Sequence, residues 1–106
     1  MRILLDECVP HPLRRDLASH DVRTVQEMGW AGLENGDLLR EMTTAGLDVF
    51  LTVDQNLRYQ QNLGDRRLAI VVLSSTSWPR IQRAIAAVAG AINAASPGSY
   101  VEVEIP

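Results

Sequence analysis

The strongest constraint on the fold is an alternation. Five short apolar runs, RILL (2–5), VRTV (22–25), DVFLT (48–52), LAIVVL (68–73) and YVEVEI (100–105), are separated by turn residues and by segments of helical spacing. After the first run, Val9, Leu13 and Leu17 recur at the spacing of one helix face. Pro10 and Pro12 fit only the entrance of that helix, where a missing N–H removes no hydrogen bond. A second helix is expected from Asp37 to Ala45, with Asn35 or Asp37 as its cap and Gly46 as its end. Residues 55–63 read as a short polar helix or loop. Ser77 is expected to cap a long alanine-rich helix over 78–95, with Pro79 in its first turn and Ile81, Ile85, Val88 and Ile92 on one face. The strict alternation of YVEVEI reads as an edge strand, with Val101, Val103 and Ile105 buried and the glutamates in water.

Strands that alternate with helices imply an α/β fold: a mainly parallel five-stranded sheet with helices on both faces. A chain of 106 residues fits one domain over 1–106. Its core must be aliphatic, because only Trp30, Phe50, Tyr59, Trp78 and Tyr100 are aromatic. No apolar run reaches the ~18 residues of a membrane span, and the N-terminus lacks a signal-peptide pattern. The lone Cys8 cannot form an internal disulfide, so a cytoplasmic protein without membrane contact is expected. The net charge of −3 gives no global attraction to nucleic acid. That weighs against a stable DNA binder, but not against an enzyme that meets a phosphodiester briefly.

In open parallel sheets, ligands bind beyond the carboxyl ends of the strands. Asp6 and Glu7 follow the first strand, Asp54 the third, and Ser74, Ser75 and Thr76 the fourth; Asp37 opens the helix leading to the third. Acids gathered at one edge repel each other unless a cation sits among them. A hard divalent ion with oxygen ligands suits such a cluster, and it would assist attack on a phosphoryl group. Singly, each acid is also an ordinary turn or helix-terminus residue; Asp6 and Asp54, both at strand exits, carry the functional reading together.

Two rival chemistries share this region. Cys8 and Arg14 stand in the C-x5-R spacing of a cysteine phosphatase, but Pro10 and Pro12 remove two amide donors that a phosphate cradle needs. Asp6 and Glu7 also raise the Cys8 pKa, the wrong direction for a thiolate, so Cys8 is expected to be a small buried residue. Receiver domains likewise place acids after strands one and three and a Ser or Thr after strand four. They rely on a lysine after strand five, whereas all ten basic residues here are arginine.

The segments RILLDECVP, GWAGLENGDLLREM and DVFLTVDQNLRYQQNL closely resemble a family of small prokaryotic PIN-like proteins, a domain of unknown function related to PIN nucleases. The resemblance covers roughly residues 1–75. It implies a three-layer α/β/α sandwich and a Mg²⁺- or Mn²⁺-dependent ribonuclease, many relatives being toxins of VapC-like toxin–antitoxin pairs. By position, Asp6 resembles the first metal-site acid, Asp54 in LTVD the acid after the T-x-D strand, and Asp37 the middle acid. Glu7 resembles the second member of a D-E pair. The position of a fourth acid holds Ser74-Ser75-Thr76, which can at best hydrogen-bond a metal water, and the chain is shorter than typical PIN domains. The resemblance therefore also accommodates a PIN-like interaction module without nuclease activity, bound to a partner such as an antitoxin.

Near the same edge, Asn56 is close enough in sequence to join Asp54. Arg58 and Tyr59 could contact phosphate and stack on a base, although a solvated helix with Leu57 and Leu63 packed inward uses the same residues. Trp30, in the Gly-flanked MGWAG, is expected to bury against the end of the sheet. The alanines of 78–95 are compatible with close approach of a second copy, hence a homodimer.

Overall fold

The computed structural model describes residues 1–55, 57 and 67–106. All five expected strands form: β1 (Arg2–Leu5), β2 (Asp21–Thr24), β3 (Val49–Thr52), β4 (Ala69–Leu73) and β5 (Tyr100–Val103). They make one sheet in the order β2-β1-β3-β4-β5, and every pairing is parallel. Four helices accompany the sheet among the described residues: α1 (Leu13–Asp16), α2 (Asn35–Thr44), α3 (Trp78–Arg83) and α4 (Ile85–Asn93). The architecture is α/β with an all-parallel sheet. No helix among the described residues is long and apolar enough to cross a membrane.

Burial explains why these runs are strands. β3 and β4 are buried along their whole length, as expected for central strands covered on both faces. Ile3, Leu5, Val49, Leu51, Val71 and Leu73 face a core completed by Val9, Leu13 and Leu17 and by Ile81, Val88 and Ile92 of α3 and α4. Leu4, Phe50, Ile70 and Val72 face a second core with Leu38, Leu39 and Met42 of α2. The edge strands differ: β2 alternates exposed and buried residues, and on β5 only Val103 is buried. Ile105 is buried as expected, but Val101 is 38% exposed at the open edge of the sheet.

The helices depart from expectation in instructive ways. Val9, Leu13 and Leu17 are all buried, yet the helix around them is a single turn. Its amides reach back three residues, Leu13 N–H to Pro10 O, Arg14 to His11 and Arg15 to Pro12, the tighter turn common at helix ends. α2 begins at Asn35, earlier than expected, with Glu34 at the cap position and no side-chain cap. Gly46 ends it as anticipated, at φ 76°, with the Leu47 amide bonded to the Met42 carbonyl.

The expected long helix over 78–95 is two helices, broken at Ala84 (φ −105°, ψ 18°), whose amide bonds to Ile81 O. Neither proline nor glycine marks that break. Ser77 holds the cap position of α3 without a capping bond; its own amide donates to Ser75 Oγ instead. The expectation for 55–63 falls almost wholly outside the described residues.

Candidate functional site

The strand order reverses between β1 and β3: the chain leaves β1 toward β2 on one side, and β3, β4 and β5 extend on the other. A crevice beyond the carboxyl ends of the strands at such a point is where open parallel sheets bind ligands. The Asp6 amide donates to Leu51 O at 3.0 Å, which carries the β1–β3 ladder one residue past the strand and fixes Asp6 at this edge. Thr52 is the last residue of β3 and is fully buried. Its hydroxyl donates to Asp6 Oδ2 at 2.7 Å and accepts the Asp54 amide at 3.1 Å. A single buried hydroxyl therefore joins the two half-buried acids.

Further bonds orient both carboxylates. Asp6 Oδ1 accepts the Glu7 amide at 2.8 Å, and Asp54 Oδ2 accepts Asn35 Nδ2 at 3.0 Å. Asn35, one of the two residues expected as the cap of α2, does not cap it; it crosses to Asp54. Sequence reasoning gave neither Thr52 nor Asn35 a part in the site, Thr52 entering only through the T-x-D strand and Asn35 only as a cap candidate. Threonine favours strands anyway, so Thr52 gives no local signal, and Asn35 fits a local capping rule that a tertiary partner overrides.

The other candidates are placed differently. Asp37 is exposed, and its carboxylate pairs with Arg40 on the same helix. Glu7 is exposed and its Oε1 accepts the Gly32 amide at 3.3 Å, tying the 29–32 loop to the residue beside Asp6. Ser74 Oγ accepts the Ile105 amide at 2.7 Å and the Ser74 amide donates to Val103 O, so this serine fastens the chain beyond β5. Asn56 and Arg58 lie outside the described residues. Trp30 is half-buried and packs against the α2-side core, as expected. Among the described residues, no group of three His, Cys, Asp or Glu side chains is placed to hold a metal ion.

Cys8 is exposed, which corrects the expectation that it is buried. Loss of hydration around its sulfur, then the charges of Asp6, Glu7 and Asp54, raise its pKa above the ordinary 9.0. Arg14, the partner in C-x5-R, is engaged elsewhere: Nη1 lies 2.7 Å from Glu27 Oε1, and Nη2 donates to Val22 O at 3.0 Å. A thiol biased toward its neutral form, with its arginine held by another acid, is not a phosphatase nucleophile.

Beside the acids, a cavity of about 410 Å³ is lined by Gln55, Val72, Ser74, Glu102, Val103 and Glu104. Neither Asp6 nor Asp54 is among these residues; Gln55, which follows Asp54, donates to Ser74 O at 3.5 Å. Chemically, the β1/β3 end offers two oriented, partly exposed carboxylates on neighbouring strand ends, oxygen donors of the kind a hard cation takes. Comparison with protein-family models, with curated proteins and with solved structures found no match.

Proposed function

We propose that the protein is a PIN-like ribonuclease of three-layer α/β/α architecture, dependent on Mg²⁺ or Mn²⁺ and acting in the cytoplasm as the toxin of a toxin–antitoxin pair. The observation that carries this reading is the meeting of Asp6 and Asp54 at Thr52, at the point where the strand order reverses. The donor set fits the ion. Mg²⁺ keeps several waters and takes one or two carboxylates with substrate phosphate, and each carboxylate oxygen has two lone pairs, so a bond from Thr52, Glu7 or Asn35 leaves a carboxylate able to accept more.

Asp6 and Asp54 would hold the ion, which would lower the pKa of attacking water and offset charge growing on the phosphoryl oxygens. Thr52 holds the Asp6 carboxylate and the Asp54 backbone through one oxygen, and its burial denies water that hydroxyl. Hydrolysis consumes one water: its oxygen bonds to phosphorus, the bond to the leaving ribose oxygen breaks, and that oxygen takes up a proton. Asn56 and Arg58 follow Asp54 closely in sequence and keep the proposed part of contacting substrate.

The test is cleavage of an RNA pool with Mn²⁺ by the wild type, Asp6→Asn and Asp54→Asn. Cleavage by the wild type, lost by about a hundredfold or more in both variants, is expected, because each removes charge directly at the cation. Unchanged cleavage in either variant overturns the assignment. Growth arrest on induction of the wild type, absent with Asp6→Asn, supports the toxin.

A second reading has its own observation. Asp6 and Asp54 bridged by Thr52, with Asp37 turned to Arg40, also suit a PIN-like module that has lost catalysis and binds a partner protein such as an antitoxin. Absence of both Mn²⁺ binding and RNA cleavage in purified protein favours the module.

A further inference from the structure

The middle position of the site is open to a direct structural argument. Helix α2 was expected to contribute Asp37. Successive residues of a helix turn by about 100°, so residues two apart lie on nearly opposite sides of it. Asn35 and Asp37 therefore cannot both face the sheet edge, and the structure distinguishes them. Asn35 reaches Asp54 Oδ2 at 3.0 Å, whereas Asp37 is exposed and paired with Arg40. The identity of the contacting atom is fixed by chemistry. A carboxylate accepts hydrogen bonds only, so the amide must present its nitrogen to Asp54.

We propose that α2 enters the site through Asn35, and that this neutral side chain is a positioning residue. It holds Asp54 by a hydrogen bond at the place where a third carboxylate would complete a cation cage. The proposal rests on the divalent-cation reading given above. An acid at position 35 would face Asp54 at hydrogen-bond distance. Two like charges so close oppose each other in the cation-free protein and become joint ligands once a cation arrives. Asparagine avoids the repulsion and forgoes the third charge. The protein then folds without its ion and binds it weakly.

The experiment is a calorimetric titration of MnCl2 into the wild type, Asn35→Asp, Asn35→Ala, Asp37→Asn and Asp54→Asn, with thermal unfolding of each measured without and with Mn²⁺. Asn35→Asp is expected to unfold at a lower temperature than the wild type without Mn²⁺. It should also bind Mn²⁺ about tenfold or more tightly, since affinity follows the number of charged ligands. Asn35→Ala should lose thermal stability without gaining affinity. Asp37→Asn should stay within about twofold of the wild type, as surface substitutions generally do. If Asn35→Asp folds poorly, recovery of its unfolding transition on addition of Mn²⁺ reports the same coupling.

An independent readout uses the unmodified protein: Mn²⁺ should broaden the Asn35 side-chain amide signal in NMR spectra before that of Asn93 on α4. Affinity unchanged in Asn35→Asp, or lowered by Asp37→Asn as far as by Asp54→Asn, overturns the proposal. Mn²⁺ binding by Asn35→Asp alone, with none by the wild type, supports the placement of Asn35 while overturning the ribonuclease reading. Binding by neither overturns both.

Discussion

Two serine or threonine hydroxyls sit at neighbouring strand ends and do different things. Thr52, at the end of β3, is fully buried and bonds to two acidic residues, Asp6 through its carboxylate and Asp54 through its amide. Ser74, just past β4, is exposed and accepts the backbone amide of Ile105. The first hydroxyl orients the carboxylate after β1 and holds the backbone after β3; the second anchors a chain segment. Both stand on the same edge of the same sheet, so proximity to that edge does not define a site residue. What separates them is the partner. Both hydroxyls accept a backbone amide, but Thr52 also donates to a carboxylate and so orients a charged group, whereas Ser74 Oγ fastens chain.

The largest effect should come from Thr52→Val, which keeps the shape and removes the hydroxyl. Asp6 Oδ2 loses its donor and the Asp54 amide its acceptor, in a half-buried setting. The loss should be about 2–4 kcal/mol of unfolding free energy, since bonds to charged groups are worth more than neutral ones and a stranded partner adds to the cost. Urea denaturation measures it, and RNA cleavage should fall with it. Equal stability of Thr52→Val and the wild type would erase the distinction drawn from burial.

Ser74→Ala is the control at the other strand end. It strands only the Ile105 amide, so the expected loss is about 1 kcal/mol. Mn²⁺ affinity and RNA cleavage should match the wild type, because the Ser74 side chain bonds to chain beyond β5 rather than to either acid. Impaired cleavage with stability intact would move Ser74 into the site and break the comparison.

The sequence carried the sheet better than the helices. Strands buried on both faces read as continuous apolar runs, so 2–5, 48–52 and 68–73 were legible almost to the residue. The helix entrance at Pro10 and Pro12 read as the start of a longer helix, because the periodicity of Val9, Leu13 and Leu17 does not distinguish successive three-residue turns from α-helix. The break at Ala84 has no local mark, since alanine is the best helix former. In the site, Asp6 and Asp54 stood out because acids at strand exits are conspicuous. Asn35 is locally one of two cap candidates, and its contact with Asp54 is long-range; nothing within a window around 35 encodes it.

A third strand end gives the smallest effect and the finest test of the same distinction. At the end of β2, Thr24 and Glu27 bond reciprocally: the Thr24 amide donates to Glu27 Oε1 at 3.0 Å, and the Glu27 amide donates to Thr24 Oγ1 at 3.1 Å. That T-x-x-E spacing is a capping box closed around a turn, so here a threonine meets an acid without forming a site. Glu27 has its cation in Arg14. The hydrogen bond from Arg14, then the bond from the Thr24 amide, holds its carboxyl below the ordinary 4.5. A group whose pKa is lower in the folded protein stabilises it above the unfolded value, and that contribution disappears as pH falls through the folded value. Above about pH 4.5 the contribution of Glu27 should therefore be constant, and below it should fade. Glu27→Gln should lower the melting temperature slightly at pH 7 and flatten the acid limb of the stability profile, as followed by circular dichroism from pH 7 to 2. Because the pair is exposed, added salt should shrink the difference. RNA cleavage and Mn²⁺ affinity should not respond, since the charge of Glu27 is already answered by Arg14. An acid limb unchanged by Glu27→Gln would mean that the Arg14 pair does not persist in solution. The distinction between an acid closed into a turn by its threonine and the two acidic residues bridged by Thr52 would then need redrawing.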